Sequence, residues 1–185
     1  MRLFVAIDLP ALEKQRLAGE LERLAAYALP IRWLDPDSLH ITVKFLGEVA
    51  DSQRPGIARA LRTAASAHQP FDLGLQGLGA FPSLSRPNVF WLGAQGGPAL
   101  LGLQQSVETT LAELGFAPED RVYRPHITVG KTKARETIRN RTLMDRMAGE
   151  FKYKATVRVE TVELMRSFTD PRGARYEVLE SVELH

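Results

Sequence analysis

The tetrapeptide His40-Ile41-Thr42-Val43 returns unchanged as His126-Ile127-Thr128-Val129, 86 positions further along a chain with only four histidines. Chance would supply such a pair on the order of once in a thousand sequences of average composition. Alternating His-apolar-Thr-apolar is the pattern of a strand with one buried face, because successive side chains point to opposite sides. Each Ile and Val must therefore anchor in a core, while each His and Thr stands on the other face. A fold that brings the two polar faces together places two imidazoles and two hydroxyls around one cleft.

That set suits the opening of a cyclic phosphodiester. One group must take a proton from water and another must protonate the departing ribose oxygen. Imidazole, with an ordinary pKa of about 6.5, can do either near neutrality. Hydroxyls can donate hydrogen bonds to the non-bridging phosphate oxygens. In-line attack puts water and leaving group on opposite sides of phosphorus, so the two histidines should flank it. A lone strand histidine is more often structural; the pair reverses that preference. Zinc is the rival reading. Two histidines are too few ligands, and no other His, Asp or Glu stands at ligand spacing, so neither metal nor cofactor is expected. His68, at the end of the second expected helix, suits a structural place where a cation is favourable. His185, the last residue, is expected to fray.

The rest of the chain supplies strands and helices in mixed order. Residues 2–8 read as a buried strand. A helix opened by Pro10 shows Leu17, Leu21, Leu24 and Ala28 on one face, and Pro30 ends it. Strands at 31–34 and 39–46 flank the turn residues Asp35-Pro36-Asp37-Ser38. Asp51 or Ser52 can cap a second helix striped by Ile57, Leu61, Ala64 and Ala65. Phe71, Leu73 and Leu75 alternate as a strand, residues 77–88 read as a long loop, and 89–93 as a short strand. Pro98 and Gly115 bracket a third helix with Leu100, Leu103, Val107, Leu111 and Leu114 on one face. After the second motif a polar, basic segment with room for a helix runs to Gly149. Residues 153–159 alternate as a half-exposed antiparallel strand. Residues 171–173 suggest a turn before a last strand at 176–184. Strands adjoin strands as often as helices, so the expected class is α+β.

The length of 185 residues suits one domain or two small lobes sharing a core. With 44% hydrophobic and 25% charged residues the composition is that of an ordinary globular protein. No apolar run nears the ~20 residues of a membrane span, and MRLFVAIDLP reads as a strand and not as a signal peptide. The expectation is a cytoplasmic protein with no membrane partner, monomeric by default. The absence of cysteine excludes disulfides, thiolate-bound zinc and a thiol nucleophile. The net charge of +2 hides an asymmetry: residues 121–154 hold ten Lys/Arg against three Asp/Glu. Such a segment either attracts a phosphate-rich ligand or is a solvated face.

These stretches resemble the 2′-5′ RNA ligase family, the RNA 2′,3′-cyclic phosphodiesterases of the two-histidine phosphoesterase superfamily. LFVAIDLP (3–10) is similar to its opening strand. LHITVKFLGEV (39–49) and RPHITVGK (124–131) resemble its two H-x-T-x motifs. Gly79-Ala80-Phe81-Pro82 and NVFWLG (88–93) look like its middle, and the run from Ser167 through Gly173 to Tyr176 looks like its C-terminal pattern. The resemblance spans nearly the whole chain. It implies one bilobal α+β domain over residues 1–185, with two antiparallel sheets lining a central cleft, helices outside and a pseudo-two-fold repeat. It implies hydrolysis of RNA 2′,3′-cyclic phosphate ends to a 2′-phosphate, with His40 as proton donor, His126 as proton acceptor, and Thr42 and Thr128 on the phosphate. The family often has Arg where Lys131 stands, so Lys131 and Arg124 are both candidate phosphate-binding residues; Lys is a point charge, not a bidentate fork.

Two other functions use the same features. A ligase would run the chemistry in reverse, joining a cyclic end to a 5′-hydroxyl without ATP; no G-x-x-x-x-G-K-[ST] loop is present. A non-catalytic RNA binder would stack bases on Trp33, Phe45, Tyr123 or Phe168, each equally a core residue. The intact histidines and threonines argue against it. The expected partners are RNA ends or small cyclic nucleotides.

Overall fold

The computed structural model describes residues 1–170 and 173–185, so residues 171–172 of the expected turn at 171–173 lie outside the described residues. Nine strands run β1 (Arg2–Asp8), β2 (Ile31–Trp33), β3 (His40–Glu48), β4 (Phe71–Ser83), β5 (Arg86–Gln95), β6 (His126–Thr132), β7 (Lys154–Val159), β8 (Thr161–Asp170) and β9 (Gly173–Glu183). Among them stand four helices: α1 (Ala11–Ala25), α2 (Arg54–Ala65), α3 (Gly97–Ala112) and α4 (Arg141–Glu150). The α+β class follows the sequence reading.

The strands form one antiparallel sheet in the order β7-β4-β5-β6-β3-β1-β8-β9, with β2 added on β6 beside β3. The two sheets expected from the sequence are thus joined. Their seam is β3 against β6, where a single registered pair, Ile41↔Ile127, connects the halves. Both motifs lie on neighbouring strands at that seam.

Alternation works as expected. Ile41, Val43, Ile127 and Val129 enter the main core with Leu17, Leu21 and Leu24 of α1, Ile57 and Leu61 of α2, Leu103 and Val107 of α3, and Met144 and Met147 of α4. All are nearly inaccessible to solvent, each burial contributing about 1.5–3 kcal/mol. The helices therefore cover one face of the sheet. On the opposite face Phe4, Ala6 and Met165 make a small second cluster with Tyr176 against it. The polar face of the motifs is left open beside that cluster.

Several boundaries differ from the sequence reading. Residues 77–88 are no long loop: β4 and β5 run on as a hairpin, turning at Leu84 and Ser85. Gly77, at φ 82, sits where the register slips between Leu75 and Leu78. Glycine there marks a bulge in a continuing strand, not its end. α1 stops before Ala28, which takes φ 52 and is exposed; α3 stops before Leu114, also exposed. A short 3₁₀ turn, Asp51–Gln53, precedes α2, and neither Asp51 nor Ser52 caps that helix. The basic segment does hold a helix, α4, which Asn140 caps by accepting from the Leu143 N–H (3.0 Å).

Candidate active site

β3 and β6 run antiparallel, so the Ile41↔Ile127 register, carried one step either way, sets Thr42 opposite His126 and Thr128 opposite His40. All four point away from the core and line one cavity of about 580 Å³. The structure thus brings the repeated motifs together.

Each imidazole is held in the same way. Nδ1–H of His40 donates to the carbonyl of Ser38 (2.7 Å), and Nδ1–H of His126 donates to the carbonyl of Arg124 (2.6 Å). Both acceptors lie two residues before their histidine. A carbonyl can only accept, so each ring carries its proton on Nδ1 and presents Nε2 to the cavity. Aromatic rings set the tilt. Phe4 and the edge of Tyr176 each lie 4.9 Å from His40, centroid to centroid, and Phe81 stands edge-on to His126 at 5.1 Å. Burial lowers the pKa of His40, and the Ser38 carbonyl and the Asp8 carboxylate partly oppose that shift.

A bulge follows each threonine. In β3, Val43 is skipped in the pairing with β1, between Ala6↔Thr42 and Val5↔Lys44. In β6, Val129 is skipped in the pairing with β5, between Trp91↔Thr128 and Phe90↔Gly130. Each extra residue flips the alternation beyond it. Phe45 and Lys131, both three places after their threonine, therefore join the cavity wall. Strict alternation would have turned Lys131 away.

Lys131 meets Arg32, its register partner on β2, and both line the cavity with Arg2; Asp35 is the acidic residue among them. Arg124 does not line it: its side chain is exposed elsewhere, and what it supplies is the carbonyl under His126. Of the ten basic residues in 121–154, Lys131 reaches this wall.

Residues 10–171 match the 2′-5′ RNA ligase superfamily. The chain belongs to that superfamily. It is 31% identical to the RNA 2′,3′-cyclic phosphodiesterase of Methanothermobacter thermautotrophicus, covering 100% of this chain and 99% of that protein. It is 32% identical to the protein of the same name from Archaeoglobus fulgidus, over 99% of this chain and 100% of the relative. Among solved structures, a protein of Thermus thermophilus superposes with a TM-score of 0.82 at 27% identity, covering 100% of this chain and 98% of that one. E. coli LigT complexed with 3′-AMP gives 0.72 at 26% identity, covering 99% and 97%.

In this superfamily member the cavity also takes residues that were not among the candidate site residues read from the sequence: Arg2, Phe4, Arg32, Ser38 and Tyr176. Four come from β1, β2 and β9; Phe4 and Tyr176 lie in stretches that resemble the family's, but only the strand order sets the four beside the histidines. Ser38 had a local signal, its place two before His40. Of the four candidate stacking residues, Trp33 and Phe45 line the cavity. Tyr123 instead donates its hydroxyl to the Thr42 carbonyl (3.0 Å), and Phe168 lies under the Arg166 guanidinium. Outside the cavity, His68 bonds Ser106 through Nε2 (2.7 Å), and the His185 N–H, expected to fray, donates to the His68 carbonyl (2.8 Å). Among the described residues no cluster of three or more His, Cys, Asp or Glu could hold a metal, and no helix is long and apolar enough to cross a membrane.

Proposed function

We propose that this protein hydrolyses 2′,3′-cyclic phosphate ends of RNA to 2′-phosphates, with His40 as general acid and His126 as general base. The observation that carries the reading is the shared anchoring of the two imidazoles: each Nδ1–H is tied to the carbonyl two residues back, and each Nε2 is presented to one cavity. Relatives named RNA 2′,3′-cyclic phosphodiesterase support it. So does the nucleotide in the LigT complex.

His126 Nε2 takes a proton from water, whose oxygen bonds to phosphorus. The bond from phosphorus to O3′ breaks in line, and His40 Nε2–H delivers the proton to O3′. The product carries a 2′-phosphate and a free 3′-hydroxyl. Thr42 and Thr128 donate to the non-bridging oxygens, and Lys131 balances their charge. Burial disfavours the cationic form of His40, but a bound phosphodiester anion restores it, because an adjacent opposite charge favours the charged state. His40 is thereby charged as an acid when substrate is present.

The test is to incubate the protein, in EDTA, with RNA ending in a 2′,3′-cyclic phosphate and to identify the product isomer by phosphorus NMR. A 2′-phosphate is expected. No turnover, or a 3′-phosphate, would refute the proposal.

A further inference from the structure

A second concavity, of about 260 Å³, opens where β6 leaves the catalytic cleft. Thr132, Lys133, Arg135 and Glu136 line it from the segment after Lys131, and Arg86 and Asn88 line it from the start of β5. Lys131, in the wall of the first cavity, is two residues before Lys133, a separation of about 7 Å along an extended chain. The junction is pinned: the Lys133 N–H donates to the Pro30 carbonyl (2.8 Å), and the Thr132 hydroxyl donates to the Pro87 carbonyl (2.7 Å).

Its positive charges are unmatched. Arg86, Lys133 and Arg135 are all exposed, and none makes an ion pair among the described residues. Glu136 is the acidic residue in the lining. Some basic side chains elsewhere are matched, as Arg62 with Glu180, Arg146 with Glu150 and Arg158 with Asp72; what sets Arg86, Lys133 and Arg135 apart is that they line one concavity beside the cleft. Together with Arg32 and Lys131 the three make a basic track that starts inside the cleft and leaves over one end of β6. Asn88 and Thr137 add short polar side chains. Such a track, with no large apolar side chain exposed in it, fits the spaced phosphates of a single strand better than one small ligand.

We propose that this track carries the phosphate backbone of the RNA leading up to the reacting end, so that the preferred substrate is a polynucleotide and not a free cyclic mononucleotide. The inference rests on the reading of the cleft as the site for a cyclic phosphate end. The nucleotide bearing that end occupies the cleft. The phosphates preceding it pass Lys131 and Arg32 and reach Lys133, Arg135 and Arg86.

The test compares a short single-stranded RNA ending in a 2′,3′-cyclic phosphate with a 2′,3′-cyclic mononucleotide. Arg86→Ala, Lys133→Ala and Arg135→Ala are combined in one variant. All three side chains are exposed, so folding should be little changed; circular dichroism checks this. A control variant loses three charges on α2, at Arg54, Arg59 and Arg62. RNA affinity is read by fluorescence anisotropy and by KM. The track variant should bind RNA at least ~10-fold more weakly at moderate salt, and its log-log salt slope should be shallower by about 2. Its KM for the mononucleotide should be unchanged. Unchanged RNA binding, an equal loss in the control, or an equal loss for the mononucleotide would overturn the inference. If the wild type binds RNA through the track but turns over neither substrate, only the hydrolytic reading fails.

Discussion

Ile41 of β3 lies directly opposite Ile127 of β6, and this single registered pair joins the two halves of the sheet. The second residues of the two repeated motifs thus meet across the seam. The histidines and threonines on either side of them are set around one cavity by that contact.

Removing either imidazole should slow the reaction strongly. Proton transfer by a positioned group is worth about 10²–10⁴-fold, so His40→Ala and His126→Ala should each lower kcat by that much with the fold intact. The losses should not multiply fully, because acid and base act in one step. A substrate with a good leaving group needs little protonation, so it should rescue His40→Ala and not His126→Ala. Rescue of the opposite variant would exchange the two roles.

The threonines test the hold on the phosphate. Thr42→Val and Thr128→Val keep shape and remove a donor. Each should cost about 10–10³-fold in kcat/KM, less than the histidines. Steady-state kinetics on a cyclic-phosphate substrate measure this, and a loss equal to that of His126→Ala would argue for a larger role.

The burial of His40 gives a pH prediction with a definite sign. Burial disfavours its imidazolium, so its pKa lies below the ordinary ~6.5. A lowered pKa means that the proton is lost at lower pH. In His126→Ala, where His40 is the remaining proton carrier, residual kcat/KM should fall as pH rises, with a midpoint under that value. The midpoint seen in kcat should lie higher, because the bound phosphodiester anion favours the cation. The wild type should show a bell. A residual rate that rises with pH in His126→Ala would contradict the assignment of His40 as acid.

Lys44 follows the bulge in β3 and turns into the core, where Nζ donates to Glu108 of α3 and to the Ala117 carbonyl (2.8 Å). Glu108 also accepts from Gln104 (3.2 Å) and from the Glu119 N–H (3.4 Å). The pair is almost fully buried, with side-chain exposures of 3% and 9%. Lys44→Ala strands a buried carboxylate and should destabilise the fold by about 3–5 kcal/mol in a urea titration. Lys44→Met combined with Glu108→Leu should recover most of that loss. Equal destabilisation by the double variant would mean that packing, not charge, dominates there.

How much of this was readable in advance follows from the range of each interaction. Alternation along a strand is a local property of the backbone. The repeated motif alone therefore determined that His40, Thr42, His126 and Thr128 stand opposite Ile41, Val43, Ile127 and Val129, and the apolar stripes of α1, α2 and α3 determined three helices. Which strands become neighbours depends on contacts between residues far apart in the chain. Only the tertiary structure decided that β3 and β6 share a seam, that β1, β2 and β9 lend Arg2, Phe4, Arg32 and Tyr176 to the cavity, and that Arg124 contributes a carbonyl and not a guanidinium. The bulges at Val43 and Val129 belong to the same class. They arise from mismatched pairing with β1 and β5. No local pattern announces them, yet they turn Phe45 and Lys131 toward the cavity, because one extra residue reverses the side to which every later side chain points.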